Sequence, residues 1–335
     1  MGESTDLEDF TNRLEAVLRR GLPGATSLRG LRRLSGGASQ ETWALETGTH
    51  AASLPLILRR SPGGAKEIRK NSLDVETEAD VLTRVLAHGV PVPQVRLVLR
   101  PGDGLGHGFL MDRVEGESMP RNILRAPSLK EARDKLTNQL GQALAQIHRL
   151  PPEALPFLRV ASAEQEILYH RDMYAEHGHP HPVFDLAFRW LLDHLPPPGP
   201  LSLVHGDFRN GNFIAGPEGL RAVLDWELAH IGDPMEDLGW LCVNSWRFGQ
   251  IDLPVGGLGT YRELFAAYEK AGGQRVDPAR VRFWEVFGTL KWGILCLLMV
   301  DTFRHGNDRS VERAAIGRRA SETEIDLLRL LAPRT

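Results

Sequence analysis

The chain has 335 residues, 42% of them hydrophobic and 25% charged, with a net charge of −3. That composition suits a globular protein with one large or two modest cores. Its mild acidity gives no electrostatic footprint for nucleic acid or an anionic membrane surface, so neither is expected as a partner. Cys242 and Cys296 both lie in apolar runs and read as free buried thiols. The acidic start MGESTDLEDF is unlike a secretory leader, and the apolar run Trp292 to Val300 is too short for a bilayer; a cytoplasmic location is expected.

Leu7 to Leu18 carries apolar residues at helical spacing and predicts an amphipathic helix. Leu31 to Thr47 alternates and is broken by Gly36-Gly37, and Leu54 to Leu58 is a short strand-like run ending at Arg59-Arg60. Ser72 to His88 is helical in period and is stopped by Pro91-Val92-Pro93. Val95 to Leu99 and Gly108 to Val114 read as two further strands. Beyond Gly116 long helices dominate: Ser128 to Leu150, Val183 to His194, Glu236 to Ser245, Thr260 to Ala271, Pro278 to Arg304 and Ser310 to Leu331. An α+β chain in two lobes, 1–114 and 115–335, is the simplest organisation.

Residues 205–237 read HGDFRNGNFIAGPEGLRAVLDWELAHIGDPMED. Asp207 stands five residues ahead of Asn212, and Asp225 follows a Val-Leu run. The same internal distance separates the base from the magnesium-binding Asn in a protein-kinase catalytic loop, where a later Asp holds the metal. Phosphoryl transfer asks little covalent chemistry of a protein, so a base and a few hard oxygen ligands are its core. Asp207 is thus the expected base, and Arg209 the cation that offsets charge on the transferring phosphate. Asn212 and Asp225 are the expected magnesium ligands. Glu227 joins them if the strand continues, because side chains alternate along a strand. Glycines at 206, 211, 216 and 232 also suit plain turns, but turns alone do not account for the Asp, Asn, Asp spacing. Asp233 and Asp237 suit bracing or capping. His170-Arg171-Asp172 imitates a kinase HRD tripeptide, yet His177 stands where Asn is needed, and the nearby His177, His179 and His181 read as a solvated polar loop.

A nucleotide needs a second set of groups. Gly36, Gly37 and Ser39 lie in a Gly-rich turn between alternating runs, where backbone could approach phosphates. Arg59 ends the next strand as the candidate phosphate-gripping cation, and Glu78 is its expected partner on the following helix, with Glu76 as competitor. Met111 and Val114 fall in the segment expected to act as the interlobe hinge against adenine. ATP is the expected nucleotide, and the residues do not separate it from GTP.

Carrying these motifs, the chain resembles the aminoglycoside phosphotransferase and choline-kinase-like family: HGDxxxxN appears as His205 to Asn212 and the metal-binding Asp as Asp225. HGDFRNGN with LDWELAHIGDPMEDLGWL, the LRR at Leu58 to Arg60 and GVPVP at Gly89 to Pro93 are similar to the branch linked to acyl-CoA dehydrogenase domains. The resemblance implies a two-lobed protein-kinase-like fold with a small antiparallel-sheet lobe holding nucleotide and a larger helical lobe holding catalytic and substrate groups. It implies ATP- and magnesium-dependent phosphorylation of a small-molecule hydroxyl, and through that branch a hydroxy acid or hydroxyacyl-CoA. Arg59 departs from the Lys of most aminoglycoside kinases, and the two cations differ in fork geometry. Trp246, Arg247, Trp292 and Asp301 are the candidate walls of an acceptor pocket. Arg209, Arg247 and Arg304 favour an anionic or neutral acceptor. Two alternatives stay open: a kinase-like module that binds nucleotide without turnover, and an aminoglycoside or macrolide kinase. A protein kinase is disfavoured, because Trp226-Glu227 follows Asp225 and no activation loop is recognisable.

Overall fold

The computed structural model describes residues 2–36, 40–48, 53–61, 71–306 and 310–332. The chain divides into two compact units, Met1–Gly116 with Arg221–Leu228, and Glu117–Leu220 with Ala229–Thr335. The segment 221–228 is thus grouped with the first unit, although it lies in sequence within 115–335.

The first unit is built on one antiparallel sheet. Strands β1 (Ser27–Gly36), β2 (Glu41–Gly48), β3 (Ser53–Ser61), β4 (Val95–Val98) and β5 (His107–Asp112) lie in the order β1-β2-β3-β5-β4. Helix α1 (Gly2–Gly21) lays Phe10, Leu14, Val17 and Leu18 against Leu45, Leu56, Leu58 and Leu110 from the sheet. Leu56 and Leu58 stand two apart on β3, so their side chains share the face of the sheet that packs against α1. The β2–β3 register sets Leu45 opposite Leu56 and Thr42 opposite Arg59, which fixes Arg59 near the strand end. Helix α2 (Val75–Ala87) starts where the Asp74 carboxylate accepts the Thr77 N–H at 2.7 Å. Its buried face is Val75, Ala79, Val81, Leu82 and Val85, with one carboxylate among them, Glu78.

The second unit is mainly helical. Its helices are α3 (Pro120–Arg125), α4 (Lys130–His148), α5 (Ala163–His177), α6 (Pro182–Asp193), α7 (Met235–Cys242), α8 (Tyr261–Lys270), α9 (Pro278–Arg304), α10 (Val311–Gly317) and α11 (Ala320–Leu331). Short strands β6 (Ser202–Val204) and β9 (His230–Gly232) pair antiparallel, and β7 (Phe213–Gly216) and β8 (Gly219–Val223) lie between them in sequence. Capping boxes at Ser162/Gln165 and Thr260/Glu263 start α5 and α8. Helix α9 is the core helix, in contact with α5, α6, α7, α10 and α11. The apolar run at Trp292 is thus part of a 27-residue helix that could cross a bilayer by length and composition, yet 56% of its most apolar window is buried within the protein. Gly239 lets α7 approach α9 closely, since a Cβ there would stand 2.6 Å from the Trp284 Cβ.

One expectation needed correction. Residues 163–177, for which the periodicity predicts no element, form helix α5, and His170 is buried within it. His177 and His181 are not simply solvated, because Asp301 on α9 and Glu324 on α11 pair with them from far along the chain. No group of three or more His, Cys, Asp or Glu among the described residues could hold a metal ion.

Candidate active site

Each unit carries one constellation. In the first, Arg59 is the hub. Its Nε lies 3.2 Å from Glu78 and donates to the Gln40 side-chain oxygen at 2.7 Å, while one terminal nitrogen donates to Asp225 at 2.8 Å and lies 3.6 Å from Glu227. Glu76, the competitor, instead pairs with His107 at the surface. Glu78 is only 1% exposed. Burial pushes its pKa up to about 7 against the pull of Arg59. Burial also works against the Arg59 charge, but Glu78, Asp225 and Glu227 outweigh it and the guanidinium stays firmly protonated. The Trp226 N–H donates to Glu78 at 3.3 Å, tying the 221–228 segment to α2.

Asp225 has a φ of +66°, a left-handed conformation that Asp adopts more readily than most residues and that clusters at functional sites. The strand has ended at Val223, so the alternation expected to align Glu227 with Asp225 does not apply. A turn brings both carboxylates to Arg59 instead. Two carboxylates around one cation are hard oxygen donors of the kind magnesium takes, with the arginine bordering them. Gly36 ends β1, whereas Gly37 and Ser39 lie outside the described residues. Met111 pairs with Ile57 and Val95 inside the sheet, and Val114 lies just past the end of β5.

In the second unit the HGD turn is clamped from several sides. Asp237, on α7, accepts the His205 N–H at 2.8 Å and the Gly206 N–H at 2.9 Å, and its outer oxygen also meets His148 Nε2 at 3.0 Å. His148 in turn meets the Tyr268 hydroxyl at 2.9 Å. Burial alone would raise the Asp237 pKa, but His148 and the loop N–H groups more than reverse this and hold it low. Asp233 is a brace of the same kind, accepting from Met235 N at 3.0 Å and Trp284 Nε1 at 2.7 Å. Gly206, with φ +79°, makes the turn that projects Asp207.

Three donors converge on the Asp207 carboxylate. Arg209 Nε donates to one oxygen at 3.0 Å, Trp240 Nε1 to the same oxygen at 2.8 Å, and Asn212 Nδ2 to the other at 2.6 Å. The Asn212 amide nitrogen also donates to the Asp207 carbonyl at 3.0 Å, which leaves the side-chain oxygen as its end for a metal. Arg209 is turned onto the base and stacks over Trp246, its guanidinium carbon 4.6 Å from the ring centroid. Trp240, Trp246 and Trp292 pack in series at 5.2 and 4.8 Å.

Of the candidate acceptor residues, Trp246 and Trp292 therefore join the group around Asp207, and two others do not. Arg247 donates to the Cys242 carbonyl at 2.7 Å, the Ile251 carbonyl at 3.0 Å and Glu285 at 2.9 Å, which engages its guanidinium in the protein interior. Asp301 is held by His177. The contribution of Trp240 was not anticipated: a lone Trp on an apolar helix reads as core, and only the fold turns its N–H onto Asp207.

A five-stranded antiparallel lobe with one buried Glu–Arg pair, and a helical lobe presenting HGDxxxxN, define the kinase-like class of phosphotransferases. The chain belongs to the phosphotransferase enzyme family, whose sequence profile matches residues 30–284. It is similar to acyl-CoA dehydrogenase family member 10 of Mus musculus, 28% identical over 237 residues, covering 65% of this chain and 22% of that protein. It is also similar to family member 11 of Gallus gallus, 30% identical over 243 residues, covering 68% of this chain and 30% of that protein. The matched region thus spans under a third of either relative. A Ralstonia eutropha JMP134 structure described as a candidate aminoglycoside phosphotransferase aligns with TM-score 0.75 at 22% identity, covering 96% of this chain and 97% of that one. The aminoglycoside phosphotransferase APH(4)-Ia, in a ternary complex with AMP-PNP and hygromycin B, aligns with TM-score 0.62 at 15% identity, covering 96% and 99%.

Proposed function

We propose that the protein is an ATP- and magnesium-dependent kinase of a small-molecule hydroxyl. The observation that carries this is the Asp207 carboxylate, held by Arg209, Trp240 and Asn212 on a turn braced by Asp237. In the transfer, the acceptor oxygen bonds to the γ-phosphorus, the bond from that phosphorus to the bridging oxygen of ADP breaks, and the hydroxyl proton passes to Asp207. A loose transition state asks more for orientation of the hydroxyl than for a strong base, and three donors on one carboxylate give orientation. Arg59, held by Glu78, grips the nucleotide phosphates. Asp225, Asn212 and Glu227 are the residues that would hold magnesium, which neutralises charge on the phosphate oxygens when bound. Nucleotide binding by relatives of this fold, such as AMP-PNP in APH(4)-Ia, supports the choice of ATP.

For the acceptor we favour a hydroxy acid or hydroxyacyl-CoA. Among the described residues, Arg209, Lys291 and Arg319, all cations, touch Asp207 or the tryptophans beside it. An aminoglycoside, itself cationic, would be served by carboxylates there. Similarity to part of proteins that carry acyl-CoA dehydrogenase names supports the same choice. The Asp207→Ala variant tests the assignment: transfer is lost while calorimetric binding of Mg·ATP stays within about twofold, as for a group that acts in the transition state. Undiminished transfer by the variant would overturn it.

A further inference from the structure

Helix α9 buries a lysine that the phosphoryl-transfer scheme does not use. Lys291 is 6% exposed and stands between buried Leu290 and the Trp292 of the aromatic series. It forms no ion pair among the described residues. A buried ammonium is costly even with the through-space attraction of buried Glu166, and Leu or Met would fill the same place in an apolar helix without that cost. Its two contacts are specific. Nζ donates to the Gly206 carbonyl at 3.2 Å and sits 4.7 Å from the centroid of the Trp240 ring.

Both contacts lead to Asp207 in one step. The Gly206 carbonyl belongs to the peptide whose N–H is that of Asp207, and this N–H donates to His205 Nδ1 at 3.2 Å. Lys291 and His205 therefore hold the two ends of one peptide plane, and with it the direction in which the Asp207 side chain leaves the turn. The Trp240 indole N–H donates to Asp207 Oδ1 at 2.8 Å. A cation over the indole face draws electron density toward itself and makes the N–H a stronger donor.

We propose that Lys291 is a positioning residue for phosphoryl transfer, fixing the Gly206–Asp207 peptide and, through the Trp240 indole, the orientation of the Asp207 carboxylate. This rests on Asp207 as the base. The lysine does not touch the reacting atoms. Its removal lowers turnover without weakening nucleotide binding, since Arg59, Glu78 and Asp225 are untouched.

The test uses the full chain with Lys291→Met, Lys291→Arg, Trp240→Phe and Asp207→Asn. Turnover of Mg·ATP is followed by ADP release, with water or an acceptor identified by screening, and nitrogen-15 spectra record the Trp240 indole resonance, assigned by its loss in Trp240→Phe. In Lys291→Met, kcat is expected to fall about 10- to 100-fold, the range of a displaced catalytic group, with KM for ATP within about twofold by the kcat-against-KM criterion. The indole resonance moves upfield in Lys291→Met and in Asp207→Asn, and Lys291→Arg recovers a large part of both signals. An indole resonance that ignores Lys291→Met, or a fall in kcat matched by losses of ATP affinity and melting temperature, overturns the proposal. If no form turns over ATP, the kinase assignment fails, while the indole response still decides whether Lys291 acts on the Trp240–Asp207 bond.

Discussion

Glu285 offers a sharp test of the interior of the helical unit. It is 3% exposed on α9, pairs with Arg247 at 2.9 Å and accepts two bonds from the Tyr261 hydroxyl, at 3.0 and 2.8 Å. Burial pushes its pKa from 4.5 up to about 7 in spite of Arg247 and Tyr261. Between those values the folded protein keeps a proton that the unfolded chain has released. The folded state then binds more protons, so this group makes stability fall as pH rises from about 4.5 to about 7. The full change corresponds to about 3 kcal/mol. His170 acts in the opposite sense: burial and Lys291 lower its pKa from 6.5 to about 4, so its contribution rises with pH over that window. The wild-type profile is therefore partly levelled, and the difference from Glu285→Gln isolates the carboxyl. Urea unfolding at a series of pH values from 4 to 8, as an assay range of about four units across the titration, should show the variant gaining on wild type by about 3 kcal/mol toward neutral pH. A difference that does not change with pH would refute the buried-carboxyl account.

Other perturbations bear on the nucleotide half and on packing. Arg59→Met leaves Glu78 buried without its cation and should cost about 3–5 kcal/mol, read by thermal unfolding; the double variant with Glu78→Gln should recover much of it, and a fully stable single variant would contradict the pairing. Asn212→Ala and Asp225→Ala should each raise the magnesium concentration for half-maximal turnover by roughly tenfold or more; unchanged magnesium titrations remove them as ligands. Gly239→Val forces a side chain into the α7–α9 contact, where a Cβ already meets Trp284 at 2.6 Å, and should cost about 1–3 kcal/mol by chemical denaturation.

The parts of the site that the sequence made legible are those fixed by local spacing. Asp207 and Asn212 are held on one short turn, so five residues of separation nearly determine their relation. Arg59 and Glu78 could be placed because a strand end followed by a helix leaves few partners, and the structure joins them at 3.2 Å. What could not be read depends on distant chain. Trp240 looks like a core residue, and Lys291 like a charge flanking an apolar run, until α7 and α9 pack beside the HGD turn. Arg247 and Asp301 are charges whose partners, Glu285 and His177, lie 38 and 124 residues away. Glu227 reaches Arg59 through a turn made by the left-handed Asp225, a conformation that a periodic pattern does not encode. Helix α5 escaped because its apolar residues form no clean stripe; its buried positions include Glu166 and His170.

The most direct test of the kinase assignment is ADP release from ATP with magnesium, screened against hydroxyacyl-CoAs, hydroxy acids, amino alcohols, aminoglycosides and macrolides, with wild type and Asp207→Ala in parallel. The account predicts stimulation of wild type by a hydroxy acid or hydroxyacyl-CoA and none in the variant. Tight nucleotide binding with no stimulation by any acceptor class, or equal turnover by Asp207→Ala, would contradict it.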